Sequence, residues 1–206
     1  ELRADGKLFA QAVITGRVTY PDGNPAAGIR VLAQLHDAHY HGRASHPGDG
    51  AFSWAEDISG ADGSYRLTGL MSAPYNVSVE DPTEQWIAVA AERVEASQRR
   101  TVSPANLVLT PGGIVTGIVT DEATGKPLAR VPVATYGPHR PRSSAMVIST
   151  ETDTSGRYRL RVAPGGSYIY VQDPRYGKGL NADVTLAEGD TRELPFRVKA
   201  VPPDAE

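Results

Sequence analysis

The chain has 206 residues, no cysteine and a formal net charge of −3. A disulfide framework and a thiolate metal site are excluded, and the near-balanced charge argues against nucleic-acid binding. No apolar run approaches the ~18 residues of a membrane-spanning helix, so we expect no membrane insertion in this segment. Both ends are polar and abrupt, which leads us to expect flanking domains of a longer parent chain.

The first half of the chain reads as short strands separated by turns. Residues 14–19 form a β-branched run, residues 22–25 (DGNP) a turn, and residues 29–35 an apolar strand. A hairpin signal follows at residues 62–67 (DGSYRL), and a further strand covers residues 75–82. Strands of this length with regularly spaced turn clusters are typical of a β-sandwich.

The second half repeats this order. Residues 115–120 (VTGIVT), 124–127 (TGKP) and 131–133 match the first three segments, and residues 155–160 (SGRYRL) and 168–174 match the last two. The distance between the matched segments is longer in the first copy, which therefore carries an inserted loop at about residues 36–60. The predicted fold class is all-β, with two tandem sandwiches covering residues 1–111 and 112–206 and joined at residues 110–113.

Alternation within the strands predicts which side chains face the core. Three sets are expected to point inward: Tyr65 and Leu67; Tyr75, Val77 and Val79; and Tyr158, Leu160 and Val162. The opposite faces carry Asn76, Ser78 and Glu80 in one strand and Arg157, Arg159 and Arg161 in another. The arginine ladder could receive an anionic polymer or an acidic partner, but we interpret it as an exposed face that discourages edge pairing. Residues 88–96 hold the best helical pattern, although their counterpart favours a strand.

The motifs together resemble a known family. The order is a TGxVT strand, a turn with Gly and Pro, a D/S-G-x-Y-x-L hairpin and a Y-x-V-x-E/Q-D-P strand, seen at residues 13–109 and again at 114–198. This resembles two tandem copies of the carboxypeptidase regulatory-like domain, a transthyretin-like (prealbumin-like) Greek-key sandwich of about seven strands. The resemblance implies a non-catalytic accessory module without cofactors, in an extracytoplasmic bacterial protein that is periplasmic, secreted or on the cell surface.

A metal-dependent enzyme is the alternative that the fold itself raises. Intradiol ring-cleaving dioxygenases have a similar sandwich and bind iron through two tyrosines and two histidines, and Tyr65 resembles the position of their first tyrosine. After Tyr65 the first unit contains no histidine, so the ligand set cannot be completed there. No other catalytic motif is present in the sequence, and we therefore predict that the protein is not an enzyme and has no catalytic residues.

The inserted loop contains the candidate metal ligands. His36, His39 and His41 lie close together, and the last two would share a face if the segment is extended. Imidazole pairs of this kind bind zinc, copper or nickel. The loop is nevertheless rich in Gly, Ser and Ala, and a solvated loop with incidental histidines is the interpretation that we favour.

The same loop contains the candidate ligand-binding residues. Tyr40, Phe52 and Trp54 could provide a stacking surface for sugar rings, although we expect Trp54 to be buried by the sandwich. The sequence therefore predicts a structural spacer or binding scaffold with a protein or carbohydrate partner. A carbohydrate-binding module is the principal alternative.

Overall fold

The computed structural model describes residues 12–36, 54–97, 104–141, 148–176 and 180–200. Strands β1–β8 form the first unit: β1 (Ala12–Thr19), β2 (Arg30–Leu35), β3 (Trp54–Ile58), β4 (Ser64–Leu70), β5 (Pro74–Glu80), β6 (Ile87–Ala88), β7 (Ala91–Glu95) and β8 (Leu107–Thr110). Strands β9–β16 form the second unit: β9 (Gly113–Asp121), β10 (Pro132–Tyr136), β11 (Ile148–Glu151), β12 (Arg157–Val162), β13 (Gly165–Val171), β14 (Asn181–Leu186), β15 (Thr191–Glu193) and β16 (Phe196–Val198). Within these ranges we find no helix that could cross a membrane.

Each unit is a sandwich of two sheets. In the first unit the sheet orders are β4-β1-β8-β6 and β3-β2-β5-β7. In the second unit they are β12-β9-β15, with β16 also pairing with β9, and β11-β10-β13-β14. The first strand of each unit pairs in parallel with a strand near the end of that unit, and the other ladders are antiparallel. The predicted all-β sandwich fold class is confirmed.

The two units have separate apolar cores, built from the inward faces that alternation predicts. Tyr65 and Leu67 of β4 pack in the first core, and Tyr158, Leu160 and Val162 of β12 pack in the second. Each core is closed by inner faces of both of its sheets, so burial of apolar area stabilises each sandwich on its own.

The same hydrogen bonds recur in both units. The Tyr65 hydroxyl donates to the carbonyl of Ala105, and the Tyr158 hydroxyl donates to the carbonyl of Leu194 at 2.6 Å. The side chains of Ser59 and Thr152 each bridge two backbone segments in equivalent places. These contacts fasten strand ends that are far apart in sequence.

The prediction for the outer face of β5 is wrong in part. Asn76 and Ser78 were expected to face solvent, but they are buried. Strand β5 lies between β2 and β7, and the His36 ring lies over it, with its Nδ1 2.7 Å from the Asn76 Oδ1. Residues 88–96 contribute the end of β6 and all of β7, in agreement with the strand-like counterpart and not with the helical pattern.

Only Pro111 and Gly112 connect the last strand of the first unit to β9. Gly112 has a positive φ of 61°, and its carbonyl accepts a hydrogen bond of 2.8 Å from the Gly189 amide. The Thr110 hydroxyl accepts from the Gly112 amide at 3.0 Å and donates to Glu188 at 2.6 Å. The connection is therefore fixed to the turn before β15, as a stiff linker requires.

Gly112→Ala tests whether this connection has room for a side chain. A Cβ there would lie 2.4 Å from the Val162 carbonyl oxygen and 2.7 Å from Cγ2 of Ile87, so we expect a loss in the free energy of unfolding well above the ~1 kcal/mol of a positive φ alone.

The matched control is Gly125→Ala. Gly125 has a similar φ of 68° with no atom near the added Cβ, so the difference between the two variants in chemical denaturation isolates crowding at the junction. Equal losses would mean that the junction is not packed around Gly112.

Candidate functional site

The two units meet at an ion pair between buried and half-buried side chains. Arg140, in the turn after β10, is fully buried, and its Nη2 lies 2.9 Å from Oε1 of Glu80 at the end of β5. The second oxygen of Glu80 is 3.0 Å from Nη1 of Arg30, which also pairs with Glu56. One arginine of the second unit thus joins a charged network of the first.

Burial and charge pairing have opposite effects on Arg140. Removal from water lowers the pKa of the Arg140 guanidinium, and the negative charge of Glu80 opposes that change. Among the described residues, Nε and Nη1 of Arg140 have no hydrogen-bond partner. The carboxylate of Glu80 is therefore the main compensation for a buried charge, and its loss would be costly.

Backbone contacts surround the ion pair. The Ala90 amide donates to the Pro138 carbonyl at 2.7 Å. Arg161 donates through Nε to the Glu84 carbonyl at 2.8 Å and through Nη1 to the Pro111 carbonyl. The last arginine of the ladder therefore connects the units, whereas Arg157 and Arg159 are exposed.

A histidine is buried beside Arg140. His139 is 1% exposed, and its Nδ1 accepts from the Ala163 amide at 3.3 Å. Burial, together with the neighbouring charge of Arg140, lowers the pKa of His139 to about 3. The ring is neutral across the physiological range, because a second positive charge here would have neither water nor a carboxylate of its own.

A cleft opens at the junction and continues along the second unit. About 340 Å³ lies between the two units, with Trp86 and Glu84 on one side and Arg159 and Ile148 on the other. A second groove of about 540 Å³ extends past Thr150, Arg157 and Glu193. The first depression lies at the edges of β11 and β12, and the second extends from there over Thr116 of β9 to Glu193 of β15.

The predicted histidine site is only partly described. The Nε2 of His36 accepts a hydrogen bond from Nε of Arg93 at 2.9 Å, and the other ring nitrogen contacts Asn76. A guanidinium can only donate, so neither nitrogen of His36 is available to a metal unless these contacts break. His39 and His41 lie outside the described residues. In the described ranges, no three His, Asp or Glu side chains converge as a metal-binding group.

The predicted aromatic surface is also described only in part. Tyr40 and Phe52 lie outside the described residues, and Trp54 is 49% exposed. The expectation that Trp54 is buried is wrong, because it lies on the edge strand β3 and alternates with Ala55, which packs towards the core. Trp86 packs instead against the first core and makes an edge contact with Tyr20, with ring centroids 5.2 Å apart.

Tyr65 has a structural role in this fold. Its hydroxyl is bonded to the Ala105 carbonyl within the sandwich, and burial raises its pKa above the usual range. An iron-binding tyrosine must lose its proton, and a buried phenol with a raised pKa disfavours that loss. Its geometry gives no support to the dioxygenase alternative.

Sequence reasoning missed the residues of the junction. Arg140 and His139 stand between prolines in a polar stretch (GPHRP) that reads as an exposed turn. Their partner Glu80 is 60 positions away, and no local periodicity links the two segments. The one sequence signal is that the alternation of apolar and polar residues ends at residues 137–141, where charged and proline residues follow an apolar strand.

Comparisons with known proteins give one family and several distant structures. A comparison with curated proteins gave no significant match. Among solved structures, the Bacillus anthracis TIE protein has a TM-score of 0.38 and 12% identity, covering 93% of this chain and 34% of that one. Shaft pilin SpaA from Lactobacillus rhamnosus GG has a TM-score of 0.35 and 12% identity, covering 93% and 98%. A minor pilin from Streptococcus agalactiae has a TM-score of 0.35 and 16% identity, covering 95% and 98%.

This chain thus spans about a third of the TIE protein, and at such scores the likenesses carry no functional information. The family model of the carboxypeptidase regulatory-like domain matches residues 114–199, which are the residues of β9–β16. The resemblance that the motifs of the second half indicated is confirmed for that segment.

Proposed function

We propose that this chain is a non-catalytic structural module, in which two carboxypeptidase regulatory-like sandwiches at residues 1–111 and 112–206 form a rigid spacer. The observation that carries the proposal is the fully buried Arg140 of the second unit paired with Glu80 of the first. The module would hold neighbouring domains or a binding loop at a fixed separation in an extracytoplasmic protein, whether periplasmic, secreted or on the cell surface.

Rigidity follows from what separation of the units would require. A guanidinium without exposed surface would have to be rehydrated, and the Ala90–Pro138 and Arg161–Glu84 hydrogen bonds would break in the same movement. Ile87, Ala90 and Ala163 are buried but belong to neither core, so separation would also expose apolar surface. Any separation of the units would break these contacts together, which favours a single relative orientation of the two units.

The family match supports a non-catalytic role for the second unit, and the contacts support the same role for the first. The buried tyrosines Tyr65 and Tyr158 fasten strands, and both nitrogens of His36 are engaged by protein groups. These three side chains are thus used to hold the fold.

Glu80→Gln tests the rigid junction directly. It leaves the buried Arg140 without a countercharge, and removing one partner of a buried pair costs roughly 3–5 kcal/mol. The natural chain has no cysteine, so spin labels can be attached at Ala27→Cys and Lys126→Cys, which are exposed positions in different units. We expect one narrow distance distribution in the parent protein and a broad one in the variant.

Asp62→Asn is the control, because it removes an ion pair with Arg17 in which both side chains are more than half exposed. It should leave the distribution narrow, since exposed pairs contribute little. Arg140→Met removes the buried charge itself and should broaden the distribution less than Glu80→Gln. A broad distribution in the parent protein would refute the rigid spacer.

The buried His139 predicts acid sensitivity. Its pKa of about 3 in the folded protein lies below the ordinary value of 6.5, so the unfolded chain binds the proton first. The free energy of unfolding should therefore have its full value above pH 6.5 and should fall by roughly 4 kcal/mol as the pH approaches 3. His139→Asn keeps an acceptor for the Ala163 amide and should flatten this dependence in denaturation series at successive pH values.

Ser167→Ala is the matched control for that series. The Ser167 hydroxyl is buried and lies beside Gly137 together with the His139 ring, but it does not titrate in this range. The variant should keep the parent slope between pH 6.5 and 3. An unchanged slope in His139→Asn would assign the acid sensitivity to other groups.

A second candidate function is carbohydrate binding, favoured by the exposure of Trp54. An exposed indole on an edge strand offers the flat apolar face on which a sugar ring stacks. In a Trp86→Phe background Trp54 is the sole remaining tryptophan, so a bound glycan should shift the emission to shorter wavelength. Trp54→Ala should abolish retention on the same immobilised glycan. A panel of neutral and acidic glycans without any emission change would exclude this candidate.

A further inference from the structure

Three hydrogen-bonded side chains connect strands on the outer face of the first unit. Nε of Arg93 on β7 lies 2.9 Å from Nε2 of His36, and Nδ1 of His36 lies 2.7 Å from Oδ1 of Asn76 on β5. The His36 amide donates to the Pro74 carbonyl at 3.0 Å, so the ladder between β2 and β5 continues to this residue. The three side chains therefore link the end of β2, the central strand β5 and the edge strand β7.

These contacts determine where the proton of His36 lies. A guanidinium carries only donors, so Nε2 must accept the hydrogen bond from Arg93. A neutral imidazole has one acceptor nitrogen and one donor nitrogen. The proton is consequently on Nδ1, which donates to the Asn76 oxygen. The observed arrangement requires a neutral ring in this one tautomer.

Arg93 has a backbone conformation that residues other than glycine rarely adopt. Its φ is 55°, and it lies where the pairing of β7 with β5 shifts register, between Tyr75 and Val77. A strained conformation of this kind persists only where the surrounding contacts hold it. Strand β7 is the edge of its sheet and pairs with β5 alone. The hydrogen bond to His36 is therefore one of the few contacts that hold this part of the strand.

The charged groups that face His36 belong to β7. Arg93 contacts the ring, and Glu95 is opposite Pro74, two strands away from His36 in the same row. The polar side chain that β5 presents, Asn76, is neutral, and so is Gln34, which lies opposite it on β2. Among the described residues, no carboxylate forms an ion pair with His36. The ring thus has a cation in direct contact and no countercharge in contact.

A proton on Nε2 would remove the acceptor that Arg93 uses. The doubly protonated ring has a donor at each nitrogen, so the guanidinium would lose its hydrogen bond and would face a second positive charge. The bond from Nδ1 to Asn76 would remain, which keeps the ring in place. Histidine is the side chain that ordinarily gains its charge between pH 8 and pH 5. Acidification through this interval would change the contact with Arg93 from attraction to repulsion.

We propose that His36 is a proton switch that holds the edge strand β7 when neutral and releases it when protonated. In the neutral state Nε2 fixes the Arg93 side chain. In the protonated state the guanidinium leaves the ring, and the strained backbone of Arg93 loses a contact that holds it. The change is local, because the pairs on either side of the register shift, Tyr75 with Val94 and Val77 with Ala91, do not involve the ring. The switch acts within the first unit and does not depend on the junction.

A double-mutant cycle of His36→Leu and Arg93→Met tests the switch, with chemical denaturation at pH 8 and at pH 5. At pH 8 we expect the two positions to be coupled by about fivefold in the unfolding equilibrium constant, the size of one hydrogen bond. At pH 5 the coupling should vanish or change sign. Other titrating groups, His139 included, are present in all four proteins and cancel in the cycle.

NMR of the parent chain tests the same contact without any substitution. The Cζ resonance of Arg93 should shift between pH 8 and pH 5 together with the ring carbons of His36. The Cζ resonance of Arg17, which pairs with Asp62 at the surface, should not follow them.

His36→Gln is the matched control, because its side-chain oxygen can accept from Arg93 and does not protonate in this interval. It should make the Arg93 resonance independent of pH, whereas His139→Asn in the second unit should leave the response unchanged. Coupling of equal size at pH 8 and pH 5, or no coupling at either pH, would overturn the proposal. An Arg93 resonance that does not follow His36 would overturn it as well.

Discussion

The fixed placement that we propose for the two sandwiches depends on one buried guanidinium. Each unit has its own apolar core and would satisfy its own strands without the other, so burial within the two cores does not set their orientation. Arg140 does, because a charge with no exposed surface needs Glu80 at a fixed distance and direction. The short connection at Pro111 and Gly112 and the hydrogen bonds of Arg161 are compatible with that one arrangement.

Buried ion pairs are a weak source of stability, since desolvation offsets most of the attraction. Their effect is on specificity, because a conformation in which the ion pair forms has a much lower free energy than one in which a buried charge has no partner. That property suits the spacer that we propose, which would require a constant geometry. The neutral His139 beside the pair follows from the same constraint, because burial and the neighbouring charge of Arg140 both disfavour a further cation at this position.

The two units share a scaffold but differ at their edges. Equivalent tyrosines and hydroxyls fasten the strands in both, while Asp57 caps the Arg66 amide in the first unit and Thr150 stands at the matching position of the second. An uncapped edge is ordinarily an aggregation hazard that exposed charges reduce. Arg157 and Arg159 of β12 supply such charges.

The sequence by itself determined the turns and the inward faces of β4 and β12, because alternation and glycine turns are local properties read over a few residues. Its inserted loop at about residues 36–60 is wrong in part, because residues 54–58 form β3 and pair with β2. The sequence also indicated the resemblance of residues 114–199 to the carboxypeptidase regulatory-like domain, since the motifs keep their order there. Tertiary structure alone decided the burial of Arg140 and His139, the exposure of Trp54 and the engagement of His36. Each of these depends on which distant segment lies opposite, and pairing between residues 60 positions apart leaves no trace in local periodicity.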